Sequence, residues 1–145
     1  MNIVLGTAKG LAYLHNGIEP AVYHKDIKPT KILLDEEMNA HVANFGLARI
    51  MTEVGESHLT TKVAGTHGYL APDYALYGQL IDRSDVYNFG VLLLEIMSDR
   101  KALDTTAQSA PNYLIVDWAM ALVKNAMTSE IVDQSIRPST EEDVM

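Results

Sequence analysis

Between His24 and Gly46 the chain reads HKDIKPTKILLDEEMNAHVANFG, and no other stretch narrows the possible folds as far. Two short strand-like runs, KILLD (31–35) and AHVAN (40–44), are separated by the polar turn Glu36-Glu37-Met38-Asn39. That pattern predicts a small antiparallel hairpin. Polar residues gather just before the first run and at the end of the second, so the hairpin is expected to flank a site.

Helical patterns surround the hairpin. In residues 3–15, Ile3, Thr7, Leu11 and Leu14 share one face. Gly6 and Gly10 lower the intrinsic helix propensity, so tertiary packing has to hold that helix, and Asn16-Gly17 stops it. Asp82 and Ser84 are N-cap residues for a helix through Met97. Its middle, Phe89 to Ile96, is apolar almost all round and predicts a buried central helix. Residues 99–112 form a polar linker ending at Pro111. Leu114, Trp118, Ala121 and Leu122 then predict one face of an amphipathic helix ending near Asn125. Residues 46–83 are rich in Gly, Thr and Ser with poor periodicity, which predicts a long ordered loop, a length usually either functional or disordered. The class expected is mainly α with one small hairpin, organised as a domain over 1–137 and a polar tail over 138–145.

Composition removes several functions. The 145 residues are 48% hydrophobic and 21% charged, which is globular, and the net charge of −8 opposes a nucleic-acid partner. No cysteine is present, so disulfides and thiolate metal sites are excluded. The longest apolar run, FGVLLLEIM (89–97), is too short to span a bilayer. The first residues lack a basic segment and a cleavage site, so no signal peptide is expected and a cytoplasmic location is. His15, His24, His41, His58 and His67 show no metal-ligand spacing. Met97, Met120 and Met127 are read as core or helix-face residues.

Four blocks in order carry a resemblance. His24-Lys25-Asp26 with Lys28 and Lys31 is similar to the H-R-D-x-K-x-x-N catalytic loop, and Asn44-Phe45-Gly46 stands where D-F-G does. GTHGYLAPDY (65–74) is similar to the end of an activation segment with its A-P-E, and SDVYNFGVLLLEI (84–96) to the buried helix after it. The chain resembles the C-terminal lobe of eukaryotic Ser/Thr protein kinases, nearest the plant receptor-like branch, over residue 3 to about 133. The resemblance implies that Asp26 handles the substrate hydroxyl proton and that Lys28 neutralises the transferred phosphoryl group. It implies that Thr66 lines the substrate turn, that His24 is a packing residue and that Asp85 caps the catalytic loop. Lys25 stands for an arginine that clamps a phosphorylated segment, with lysine lacking the planar fork; Thr60, Thr61 and Thr66 are phosphorylatable. Asp73 replaces the glutamate of A-P-E, and Arg137 is its candidate partner.

Two positions depart from the pattern. The family holds ATP-bound Mg2+ through the D-F-G aspartate and the loop asparagine. Here Asn44 offers a neutral oxygen and Lys31 offers no acceptor. Metal stabilisation is worth several kcal/mol, and at about 1.4 kcal/mol per tenfold its loss costs on the order of a thousandfold in rate. The Gly-rich loop, the V-A-I-K lysine and the regulatory-helix glutamate are also missing from these residues, so the roof of the nucleotide pocket is expected to be absent and no cofactor is expected. Three readings stay open: a pseudokinase acting through protein partners such as an active kinase or receptor complex, part of an active ATP-dependent Ser/Thr kinase, and a degenerate, unstable gene product.

Overall fold

A computed structural model describes residues 2–50, 59–60, 65–72, 79–80, 82–106 and 114–137. The chain divides into two compact units, Met1–Leu92 and Leu93–Met145. The first unit opens with α1 (Asn2–Ala12), which widens into a π-helical turn at Tyr13–Gly17. Strands β1 (Val22–Tyr23), β2 (Ile32–Leu34), β3 (Ala40–Val42), β4 (Arg49–Ile50), β5 (Leu59–Thr60) and β6 (Gln79–Leu80) follow. They pair only two by two and antiparallel: β1 with β4, β2 with β3, β5 with β6. Helix α2 (Asp82–Ser98) runs from this unit into the second.

The two glycines that weaken α1 are what let it pack. A Cβ on Gly6 would stand 3.1 Å from both Cβ and the carbonyl oxygen of Ala40, and one on Gly10 would stand 2.9 Å from Val42 Cγ2. At a spacing of four residues both glycines lie on one helix face, so the backbone of α1 lies directly against β3. Below that contact Leu11, Ile27 and Leu92 form the core cluster, with Ile32, Val42 and Phe89 packed around it. Thr7 is fully buried and returns its hydroxyl to the Ile3 carbonyl at 2.8 Å.

Burial of α2 corrects the expectation drawn from its apolar run. The buried positions are Ser84, Asp85, Asn88, Val91, Leu92 and Ser98, whereas Val86 is 58% exposed and Ile96 40% exposed. The helix buries a stripe, and most of that stripe is polar. Its N-terminal half faces backbone groups that need hydrogen-bond partners: Asn88 Nδ2 donates to the Tyr69 carbonyl. Met97, Met120 and Met127 are each more than a third exposed, so they belong to helix faces and element ends rather than to the core.

The β2–β3 turn is built around one carboxylate. Asp35 Oδ1 accepts the backbone N–H groups of Glu37 (3.1 Å) and Asn39 (2.8 Å), while Oδ2 accepts Asn39 Nδ2 (3.0 Å) and His41 Nε2 (3.1 Å). The His41 bond and then those of Asn39 hold its pKa at about 2, below the ordinary 3.8. A depressed carboxyl stabilises the fold above its unfolded pKa and loses that contribution as pH falls through the folded value. The turn is therefore expected to keep full strength above pH 3.8 and to weaken toward pH 2. An NMR titration of the Asp35 side chain checks this: a midpoint at its ordinary value would show that the turn bonds do not act on it.

In the second unit, α2 ends at Ser98, with Asp99 in the left-handed region at φ 54°. Glu95 then accepts the Ala102 N–H at 2.7 Å, and Leu103 bridges Leu114. Helix α3 (Ile115–Lys124) buries Ile115 and Ala119. This corrects the face expected around Leu114 and Ala121. Leu114 has an extended backbone (φ −101°, ψ 134°) and forms the bridge, so it stands before the helix, while Trp118 and Leu122 are half-buried on the face of Ile115 and Ala119. Trp118 is half-buried and carries the Arg100 guanidinium 4.3 Å above its ring. Asp133 caps the last short turn by accepting from the Ser135 hydroxyl and N–H, which holds its carboxyl below the usual range.

Candidate functional site

The segment His24–Lys31 leaves β1 and turns sharply before β2, and Asp85 makes that turn possible. Lys25 has φ 73°, a left-handed conformation that costs a non-glycine residue energy. Asp85, 1% exposed, accepts the His24 N–H on Oδ2 and the Lys25 N–H on Oδ1, both at 2.7 Å. A third partner reaches Oδ2 from the π-helical turn: His15 Nε2, at 2.8 Å. One buried carboxylate thus joins the π-helical turn, the loop and α2. His15 had no distinguishing local signal in the sequence, because its partner lies 70 residues away.

His24 is fully buried, and its ring is fixed at both nitrogens. Nε2 donates to the Ala43 carbonyl at 2.8 Å, and Nδ1 accepts the Asp26 N–H at 3.3 Å. A carbonyl only accepts and an amide N–H only donates, so the ring is the Nε2–H tautomer. Its face lies against Phe45, with ring centres 5.1 Å apart. Asn44, between Ala43 and Phe45, sits at φ 57°, a region that asparagine tolerates better than most residues.

Three side chains then meet around the Asp26 carboxylate. Thr66 donates its hydroxyl to Asp26 Oδ1 at 2.6 Å and accepts from Lys28 Nζ at 2.6 Å. The Nζ atoms of Lys31 and Lys28 stand 3.4 Å and 3.5 Å from Asp26 Oδ2. Thr66 arrives on a turn closed by the Tyr69 N–H on the Thr66 carbonyl at 3.0 Å. Gly65, at φ 150°, opens that turn; a Cβ there would strike Leu70 at 2.6 Å. Asp26 is nearly buried, and both its oxygens are occupied.

Of the other residues singled out in the sequence, Arg137 donates Nε to the Val132 carbonyl (2.9 Å) and Nη2 to that of Ser129 (2.7 Å). It lines a cleft of about 590 Å³ in the second unit with Arg100, Trp118, Glu130 and Asp133. Thr60 is in β5, whereas Asp73, Thr61 and His58 lie outside the described residues. A second, apolar groove of about 520 Å³ runs between α1 and β3 past Tyr13, Leu14, Val42 and Phe45. Among the described residues no three His, Asp or Glu side chains converge as a metal site. Among the same residues no helix is long and apolar enough to cross a membrane.

The loop before the β2–β3 hairpin thus gathers a buried aspartate, two lysines and a threonine from a distant turn. The family model for the protein kinase domain matches residues 1–143, and the chain belongs to the protein kinase family. Its relatives are plant receptor-like kinases. A probable receptor-like protein kinase of Arabidopsis thaliana is 63% identical over 136 residues, covering 93% of this chain and 22% of the relative. A probable LRR receptor-like serine/threonine-protein kinase of that plant is 52% identical over 134 residues, covering 92% of this chain and 21% of the relative. A proline-rich receptor-like protein kinase of the same plant is 48% identical over 137 residues, covering 92% and 19%. The chain therefore spans about a fifth of the length of these relatives.

The family uses ATP and Mg2+, and the donor set here does not fit the metal. A hard divalent cation takes several oxygen ligands, most of them charged. Lys31 presents only N–H donors, Asn44 only a neutral amide, and the Asp26 oxygens already face the Thr66 hydroxyl and two ammonium groups.

Proposed function

We propose that this chain is the C-terminal-lobe part of a receptor-like Ser/Thr protein kinase domain that has lost phosphotransfer and acts through contacts with other proteins, as a pseudokinase. The observation that carries the reading is Lys31. It stands at the position of a metal-binding asparagine and directs its ammonium to Asp26, 3.4 Å away. Asn44 removes the second metal ligand. The residues that shape the loop are kept meanwhile: Asp85 on two backbone N–H groups, His24 on Ala43, and the Gly65-Thr66 turn. Both metal-ligand positions are altered while the contacts that shape the loop are kept, a pattern that suits binding without catalysis.

The second reading, an active kinase, draws on the closeness of Asp26, Lys28 and Thr66, which are joined by two bonds of 2.6 Å. The assay that separates the two is transfer of labelled phosphate from ATP to a hydroxyl-bearing peptide, with Mg2+ and with Asp26→Asn as control. No Asp26-dependent transfer is expected. Mg2+-dependent turnover that vanishes in the control would make the chain an enzyme.

A further inference from the structure

The geometry points to Lys31 as the resident cation of this site: within the chain, its ammonium supplies the positive charge beside Asp26 that the family draws from a divalent metal, and it keeps such a metal out. The inference deepens the non-catalytic reading and rests on it for its biological sense.

The Lys31 side chain is 15% exposed and that of Asp26 8%. A lysine so enclosed requires a compensating partner, because removing an ammonium from water is costly unless it is paired. Asp26 is the carboxylate that Lys31 meets, at 3.4 Å, and Lys28 meets the same oxygen at 3.5 Å. Among the described residues, two ammonium groups against one carboxylate give the cluster a net positive formal charge. A divalent cation entering here would meet like charge, an Asp26 carboxylate already engaged by Thr66 and two ammonium groups, and a neutral Asn44 amide where the family has a carboxylate. The asparagine-to-lysine change therefore replaces an acceptor by a charge of the metal's own sign.

The Thr66 hydroxyl on Oδ1 and the two ammonium groups on Oδ2 engage both Asp26 oxygens without any ligand. Mg2+ should thus leave the chain's unfolding temperature where it is.

The test is a titration of the 145-residue chain with Mn2+, followed by paramagnetic broadening of its NMR amide signals. The expected result for the natural sequence is no broadening centred on residues 26–31 and 44 at millimolar Mn2+. The double variant Lys31→Asn/Asn44→Asp should gain broadening there, with Mn2+ binding tightened by roughly two orders of magnitude, since ligand charge sets such affinities. Asn44→Asp fits the backbone, because aspartate also tolerates the left-handed region. Where the asparagine variant fails to fold, Lys31→Met/Asn44→Asp keeps the apolar stem and replaces it. Loop-centred broadening of the natural chain that Asp26→Asn removes would overturn the inference, and so would a folded double variant that gains no site. Transfer of phosphate by a natural chain that shows no such broadening would remove the non-catalytic reading and leave Lys31's role standing.

Discussion

Replacing Asp85 by alanine is expected to cost about 3–5 kcal/mol, the range for stripping one partner from a buried charged network. The carboxylate accepts two backbone N–H bonds at 2.7 Å and the His15 ring at 2.8 Å from a position 1% exposed. Hydrogen bonds to a charged group contribute about 1.5–3 kcal/mol each, and a buried N–H left without an acceptor costs about 1–3 kcal/mol. Lys25 adds to the loss, because its left-handed backbone at φ 73° is held by one of those bonds. Against a total of about 5–15 kcal/mol for a typical domain, the variant should unfold at temperatures lower by ~10 °C or lose its cooperative transition. Asp85→Asn, which keeps one acceptor oxygen, should fall between the two. Thermal and urea unfolding followed by circular dichroism decide the matter. An alanine variant within about 1 kcal/mol of the natural chain would mean that the loop is held by something other than Asp85.

Ile27→Ala is the second large effect. Ile27 is fully buried between Leu11 and Leu92. Its neighbours in sequence, Asp26 and Lys28, point into the site instead, so one loop alternates between core and chemistry. Truncation to alanine should cost about 2–5 kcal/mol, depending on how far the cavity collapses, and Ile27→Val about 0.5–1.5 kcal/mol. The two variants differ in what else they change. Loss of Asp85 frees the loop backbone, whereas loss of the Ile27 side chain leaves those bonds in place and removes the wedge beneath them. Hydrogen exchange should accordingly show the Lys25 amide weakened most by Asp85→Ala, with Ile27→Ala loosening the amides of α1, the loop and α2 together. Equal exchange patterns would mean that loop and core open as one unit.

Parts of this architecture are legible in the chain itself. The hairpin is, because strand, turn and strand are neighbours and the turn residue Asp35 binds residues two to six positions on. The end of the π-helical turn that follows α1 is marked by Asn16-Gly17, and the family by four blocks in order, in agreement with the match over 1–143. Misreadings arose where periodicity ignores what lies opposite. The apolar run of α2 reads as burial on all sides, yet its most buried residues include Ser84, Asp85 and Asn88, which answer to backbone groups elsewhere in the chain. Gly6 and Gly10 read as weaknesses of a helix and are its contact surface.

What the residues determine by themselves is the set of local elements and the chemical identity of each side chain: an amine at Lys31 and an amide at Asn44, neither of them a charged oxygen ligand. Only the tertiary structure decides that the Lys31 amine ends beside Asp26, that Thr66 crosses 40 positions to the same carboxylate, and that His15 and Asp85 join across 70. The physical reason is range. Helix and hairpin patterns arise from steric and hydrogen-bonding preferences between near neighbours. Which distant groups meet is settled by the packing of whole faces, here α1 against β3 and the core around Ile27.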